Sequence, residues 1–122
     1  MTAIVMVTTV GDEEQGNLIA RELIIRRHAA CVNMVSGVKS FYRWKGKICR
    51  DGEYLLIIKT LAAEYGAVTE TIQELHTYDV PEILSFDIAQ GEARFLDWIA
   101  GSLDKEAEFE DEEDGYPCFE QT

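Results

Sequence analysis

The sequence predicts an α+β fold of the ferredoxin-like kind, with strands and helices in the order β-α-β-β-α-β. Three observations support this prediction. Runs of β-branched and apolar residues at 3–10, 30–35 and 54–60 are typical of strands. A stretch with helical periodicity separates the first two runs, and a second one precedes a short alternating segment near residue 86. Two βαβ-like halves of this kind form one four-stranded sheet with both principal helices on the same face.

The chain begins with a predicted strand and a capped helix. Residues 3–10 are apolar or β-branched at consecutive positions, so we expect both faces of this strand to be buried. Asp12 is expected to cap the following helix, with Gln15 at the reciprocal position of a capping box. The basic residues at 26–28 suit the negative end of the helix dipole, where this helix is expected to end.

A long hairpin is predicted next. A strand over residues 30–35 is loosened at 36–37 and resumes with aromatic and basic residues at 39–44. Gly46 marks the turn, and the returning strand over 47–60 is expected to be interrupted by a bulge or kink near 51–52.

The second half of the chain has the clearest periodicity. One helical face is formed by residues at i, i+3, i+7 and i+10, namely Tyr65, Val68, Ile72 and Leu75. Pro81 cannot continue that helix. A half-buried fourth strand is predicted from the alternation of Leu84, Phe86 and Ile88, and a short C-terminal third helix from Leu96, Ile99 and Leu103.

The net charge divides the chain into two parts. The 122 residues include 23 acidic and 11 basic residues, a formal charge of −12. Nine of the acids lie in residues 104–122 beside a single lysine, so this segment carries −8 and residues 1–103 carry only −4. We therefore predict one domain at 1–103 and an acidic C-terminal extension at 104–122. Nucleic acid is not expected as a partner, because phosphate binding requires a basic surface.

Cysteine content and hydropathy bear on the compartment. The three cysteines form no C-x-x-C pair, which favours a reducing, cytoplasmic environment over a disulfide-linked scaffold. No apolar run approaches the roughly 18 residues of a membrane-spanning helix, and the N-terminal apolar run lacks the basic flank of a signal peptide.

Self-association is expected because two helices can cover only one face of a four-stranded sheet. The first and third strands are apolar at consecutive positions and therefore on both faces. We predict that copies of the chain associate through the open face and through the hairpin at 39–58. The alternative is that the acidic extension folds back and shields this face with Phe109, Tyr116 and Phe119.

Five segments in register resemble the CutA divalent-cation-tolerance family. They are AACVN at 29–33, SFYRWKGKI at 40–48, IKT at 58–60, HTYDVPEI at 76–83 and FLDW at 95–98. The resemblance covers residues 3–103. It implies a cytoplasmic, ferredoxin-like homotrimer that is linked to tolerance of copper and other divalent metals and is structurally related to the PII signalling proteins.

Cys31 and His76 are the candidate metal ligands. A thiolate suits Cu(I) or Zn(II), and a neutral imidazole suits copper, zinc or nickel. His76 is expected to face solvent at the end of the second helix. The alternatives are a small buried hydrophobe for Cys31 and a helix-terminal cation for His76. Some family members have a further histidine and cysteine among the proposed copper ligands, where this chain has Leu75 and Thr8.

Four further residues match family motif positions and are candidates for a binding cleft between subunits. Lys59 and Glu82 could form an acid–base pair there, with Tyr42 and Trp44 as aromatic walls. The alternative is a structural ion pair beside an aromatic interface core.

These residues lead to two functional hypotheses. The first is a trimeric protein that binds copper or another divalent metal ion in the response to metal ions. The second is a PII-like signalling trimer that senses a small molecule in the cleft between subunits. No nucleophile–base pair is recognisable in the sequence, so an enzyme is not expected.

Overall fold

The computed structural model describes residues 2–109 and shows the predicted α+β architecture. The elements in chain order are β1 (Ala3–Val10), α1 (Glu13–Ile25), β2 (Cys31–Trp44), β3 (Lys47–Leu61), a 3-10 turn (Ala62–Glu64), α2 (Tyr65–Leu75), β4 (Leu84–Asp87) and α3 (Ala93–Ser102). The strands form one antiparallel sheet in the order β2-β3-β1-β4. This is the ferredoxin-like order, with a short third helix at the C-terminal end.

The main core lies between one face of the sheet and the helices α1 and α2. Alternate residues of β1 and β3 point into it, and each helix contributes one buried stripe. The largest contributors are Ile4, Met6, Leu56, Ile58, Ile19, Leu23, Val68 and Ile72, all 2% exposed or less. The predicted helical face of α2 is confirmed at Val68 and Ile72.

The opposite face of the sheet, here called the open face, is only partly covered. Val7 of β1 and Ile57 of β3 lie opposite each other there and are half-buried. Leu84 and Phe86 of β4 are 50% and 53% exposed, so the fourth strand is less buried than predicted. In α3 the side chain of Ile99 is fully buried, but it does not join the core formed by α1 and α2.

The irregularity of the hairpin lies in β2 rather than in β3. The predicted interruption at 51–52 is wrong, because β3 pairs with β2 through both residues. The register instead shifts between Val35 and Val38, where β2 has one extra residue. Gly37 has a φ of 76° within this bulge, a conformation that glycine adopts without steric cost.

The start of α1 agrees with the prediction in part. Asp12 caps the helix by accepting a hydrogen bond from the Gln15 backbone N–H at 2.8 Å. The Gln15 side chain does not complete a capping box, because its amide donates to the Leu75 carbonyl at 2.9 Å and so connects the two helices. The helix ends at Ile25, and Arg27 then reverses the chain with a φ of 59°.

Residues 104–109 of the predicted extension lie against the end of α1. The Arg27 guanidinium donates to the Asp104 and Ala107 carbonyls at 2.8 and 2.5 Å and lies 4.3 Å from the centre of the Phe109 ring. Lys105 forms a 3.0 Å ion pair with Glu64. The rest of the extension, including Tyr116 and Phe119, lies outside the described residues. Within residues 2–109, no helix is long and apolar enough to cross a membrane.

Candidate functional site

A cleft of about 680 Å³ lies where the β2–β3 hairpin meets the segment that joins α2 to β4. Tyr42 and Trp44 line it from β2, Glu53 lines it from β3, and Tyr78 and Glu82 line it from the connecting segment. Pro81 also lies in the lining, beyond the end of α2, where the chain turns towards the sheet. Three stretches that are distant in sequence therefore form one concave surface.

The cleft is strongly acidic. Its four charged lining residues are Asp51, Glu53, Asp79 and Glu82, and no lysine or arginine occurs among the described residues that line it. An anionic concave surface concentrates cations and repels anions. The aromatic rings of Tyr42 and Trp44 add faces that attract cations through their quadrupoles.

Two tyrosine phenols hold two of these carboxylates. The Tyr78 hydroxyl donates to Glu53, which is only 7% exposed, at 2.8 Å. Burial and this hydrogen bond raise the pKa of Tyr78 well above that of a free phenol. The Tyr42 hydroxyl donates to Asp51, and this bond raises the pKa of Tyr42 to about 12. Both phenols therefore remain protonated at neutral pH and orient the carboxylates.

His76 does not line the cleft but contacts two residues that do, Thr9 and Tyr78. Its Nε2 lies 2.7 Å from the Thr9 carbonyl, which can only accept, so Nε2 carries the proton. Its Nδ1 accepts the Tyr78 backbone N–H at 3.1 Å, and the two rings lie 4.5 Å apart. The side chain is half-buried rather than facing solvent as expected. Both ring nitrogens have partners in the chain, so a metal ion would have to displace one of them.

Cys31 lies beside a basic side chain. The Lys59 ammonium is 4.0 Å from the Cys31 sulfur and also donates to the Asn33 side-chain oxygen. Cys31 is half-buried at the start of β2. The neighbouring positive charge disfavours a metal cation at this thiol in a single chain.

The structure does not bring Cys31 and His76 together. Cys31 pairs with Lys59, whereas His76 is bonded to Thr9, whose partner on β3 is Leu55. Four residues along a strand correspond to about 13 Å. The two candidate metal ligands thus lie at different positions along the sheet.

Of the four candidate cleft residues, three lie together and one lies apart. Tyr42, Trp44 and Glu82 line the cleft together. Lys59 does not line it and is engaged with Asn33, so no Lys59–Glu82 pair forms within the described chain. Among residues 2–109, no three His, Cys, Asp or Glu side chains converge closely enough to hold a metal ion.

Three residues of the cleft were not predicted as site residues, namely Asp51, Glu53 and Tyr78. Alternation along β3 places the two acids on the same face, and Tyr78 lies inside the segment 76–83 that carries the family resemblance. These signals were present in the sequence. The contact between Tyr78 and Glu53, 25 residues apart, depends on the tertiary fold.

Comparisons with known proteins agree on one family. The family model described as CutA1 divalent ion tolerance protein matches residues 4–102. The divalent-cation tolerance protein CutA of Thermus thermophilus is 43% identical over 95 residues, covering 78% of this chain and 92% of that protein. The rice protein CutA 1, chloroplastic, is 42% identical over 100 residues, or 82% of this chain and 56% of that protein. The chain thus spans about half the length of this plant relative.

Solved structures show the same similarity. The crystal structure of CutA1 from Oryza sativa superposes with a TM-score of 0.82 at 41% identity. The superposition covers 84% of this chain and 94% of the rice chain. The similarity therefore extends over nearly all of the domain that contains the cleft.

Proposed function

The chain belongs to the CutA1 divalent ion tolerance family, and from this membership we propose that it is a homotrimeric binding protein for a divalent metal ion. In this proposal it acts in the cytoplasm, in the response to metal ions, and is not an enzyme. The observation that carries the proposal is the charge of the cleft. Four carboxylates from β3 and the α2–β4 segment line it, and no basic residue accompanies them among the described lining residues.

The proposed ion is bound by cleft carboxylates rather than by His76 and Cys31. Both nitrogens of His76 are occupied, and Cys31 lies beside an ammonium group. Asp51 and Glu53 of β3 and Glu82 of the α2–β4 segment line the cleft and offer oxygen ligands. Since three ligands do not converge within residues 2–109, water or a neighbouring subunit completes the coordination in this proposal.

Copper is the proposed divalent ion of highest affinity. For a given set of nitrogen and oxygen ligands, affinity rises from Mn²⁺ to Cu²⁺ and falls again at Zn²⁺. Oxygen ligands without a fixed geometry impose little further selection, so a site of this kind serves tolerance of several divalent metals.

Trimer formation in this proposal is supported by the open face. Three apolar side chains of that face are at least 42% exposed, namely Val35, Leu84 and Phe86. Exposed apolar side chains at both edges of one sheet face, with the half-buried Val7 and Ile57 between them, indicate an interaction surface. Association would bury them, and it would also place ligands of a second chain near the cleft.

Calorimetric titration of the full chain with Cu²⁺, Zn²⁺ and Mn²⁺ tests the metal proposal. We expect Glu82→Gln and Asp51→Asn each to weaken binding about tenfold or more, corresponding to the loss of about 1.4 kcal/mol. Glu70→Gln, which removes an exposed acid of α2 outside the cleft lining, is the matched control and should leave binding unchanged.

Acids of the C-terminal extension need their own control. Neutralising the five acids at 110–114 with Gln and Asn removes weak binding by that segment, and the cleft signal should persist. Wild-type affinity in both cleft variants, or loss of all binding when residues 110–114 are neutralised, would contradict the proposal.

The volume of the cleft supports a second candidate, a PII-like trimer that senses a small molecule. A volume of about 680 Å³ is within the range of ligand sites, and Tyr42 and Trp44 provide aromatic walls. The acidic lining restricts the ligand to a neutral or cationic molecule. Binding of such a molecule by metal-free protein that gives no heat with Cu²⁺ would favour this candidate.

A further inference from the structure

The β2–β3 hairpin contains a group of basic side chains that have no partner within residues 2–109. Five of the eleven lysines and arginines lie within its twelve residues 39–50, and we call them the hairpin bases: Lys39, Arg43, Lys45, Lys47 and Arg50. None of them forms an ion pair, a side-chain hydrogen bond or a cation–π contact with another described residue.

Bases elsewhere in the chain behave differently. Arg26 pairs with Glu22 and Glu74, and Arg94 pairs with Glu92. Partners are also present for Arg27, Lys59 and Lys105. Within residues 2–109, these cations thus have ionic or hydrogen-bonding partners, whereas those of the hairpin have none.

Apolar side chains lie among the hairpin bases. Phe41 pairs with Arg50 across the two strands, and Arg43 pairs with Ile48 in the same way. These four residues share one face of the hairpin, opposite to Tyr42. Phe41 and Ile48 are 68% and 75% exposed, so the face combines two arginines with two unusually exposed apolar groups.

We propose that this face of the hairpin binds the acidic run at residues 110–114 of a second copy of the chain. All five residues of that run are acidic, and Phe109 immediately precedes them. Of the hairpin bases, Lys39, Arg43 and Arg50 lie on this face, while Lys45 is in the turn and Lys47 pairs with Trp44 on the opposite face. The five acids of the run therefore meet three basic side chains on this face and a fourth at the adjoining turn. The proposal goes beyond metal binding and requires only that copies of the chain associate.

The reach of the chain excludes the distal part of its own hairpin, where Arg43 lies. The Arg27 guanidinium holds the Phe109 ring near the end of α1. Arg27 lies four residues before Cys31, where β2 begins. Arg43 lies twelve residues further along β2, a distance of about 40 Å. Residues 110–114 extend at most about 18 Å from Phe109. In this proposal the acidic run therefore meets Arg43 only on the hairpin of another subunit.

Zero-length carbodiimide cross-linking of two co-expressed, complementary chains tests the proposal. One chain keeps its lysines but has Gln or Asn at 110–114, and the other keeps the acids but carries Lys39→Gln, Lys45→Gln and Lys47→Gln. A cross-link between a hairpin lysine and residues 110–114 can then join only different chains. We expect this cross-linked peptide by mass spectrometry in the co-expressed sample and in neither chain alone.

Charge variants provide the second measurement. Arg43→Gln with Arg50→Gln in the lysine-bearing chain should reduce the yield of the cross-link severalfold, whereas Arg94→Gln, at a 94% exposed side chain outside the hairpin, should not. About 1 M salt, which shortens the Debye length to about 3 Å, should also reduce it.

Three results would overturn the proposal. They are no cross-link between the hairpin and residues 110–114 in the wild-type chain, a cross-link that the complementary pair does not reproduce, and a yield that Arg43→Gln with Arg50→Gln leaves unchanged. Light scattering on the same samples separates this inference from the proposed function. An oligomer that forms without the cross-link would contradict the docking of the acidic run and leave the proposed trimer unaffected.

Discussion

At the end of α2, one imidazole joins three parts of the chain. His76 donates to the carbonyl of Thr9 on β1 and accepts from the backbone of Tyr78, whose hydroxyl in turn binds Glu53 on β3. Each of these groups is at least partly shielded from water, so each depends on its partner. The position of the buried Glu53 carboxylate in the cleft therefore depends on the ring of His76, two contacts away.

Replacing His76 tests whether this role is structural. We expect His76→Ala to lower the free energy of unfolding by about 1–3 kcal/mol, because the Thr9 carbonyl and the Tyr78 N–H lose their partner. His76→Asn should recover part of that loss, since an amide can donate and accept. Urea denaturation measures both. Divalent-metal titration of His76→Asn should give wild-type stoichiometry; complete loss of binding in a folded variant would identify His76 as a ligand and contradict the carboxylate site.

The hairpin is an element whose turn has demanding geometry. Trp44 pairs with Lys47, so the loop consists of Lys45 and Gly46, with φ values of 49° and 79°. Two consecutive left-handed residues form a type I′ turn, whose twist matches that of the flanking strands. Glycine adopts this conformation readily, whereas lysine does so at a steric cost.

Substitutions in the turn should therefore have opposite signs. Gly46→Ala is expected to destabilise the protein by about 1–2 kcal/mol, because a Cβ is unfavourable at positive φ. Lys45→Asn should stabilise it by up to about 1 kcal/mol, since asparagine favours the first position of this turn. Thermal unfolding provides the measurement. Gly52→Ala, with no atom within 4 Å of the added Cβ and no positive φ, is the control and should change little.

Elements defined by local patterns could be predicted, and those defined by pairing could not. The bounds of β1 and the buried face of α2 follow from apolar runs and a helical period. The continuity of β3 through residues 51–52 does not follow from such a pattern. It depends on the backbone hydrogen bonds to β2, and the extra residue lies in that partner strand. Gln15 is similar, since its amide binds an α2 carbonyl 60 residues away instead of closing a local box.

On the scale of the whole molecule, the same limit applies to the cleft. The sequence indicated Tyr42, Trp44 and Glu82 through the family resemblance, and the fold brings these three together. Lys59 was expected beside Glu82 in a cleft between subunits; within one chain the sheet register places it next to Asn33 and Cys31, and a pair across subunits stays a prediction. Burial of Glu53 depends on three separate stretches and has no signature in the local sequence.

The open face makes a prediction about the assembled molecule. Phe86 and Leu84 lie on β4 opposite Val5 and Val7 of β1, and both are about half exposed in the single chain. A carboxylate at either position would bring an uncompensated charge into any interface formed there, at a cost that association cannot easily offset. The core beneath α1 and α2 would not be touched.

Phe86→Glu is therefore expected to dissociate the proposed trimer without unfolding the domain. Light scattering should give about 41 kDa for the wild type, three times the chain mass of 13.8 kDa, and a value close to the single-chain mass for the variant. Leu18→Glu is the matched control, because Leu18 is 41% exposed on α1 and lies away from the sheet. It should leave the mass unchanged. Circular dichroism should be the same for all three proteins, since neither side chain belongs to the buried core. A wild-type mass of 13.8 kDa, or an intact trimer in Phe86→Glu, would show that the open face is not what holds the subunits together.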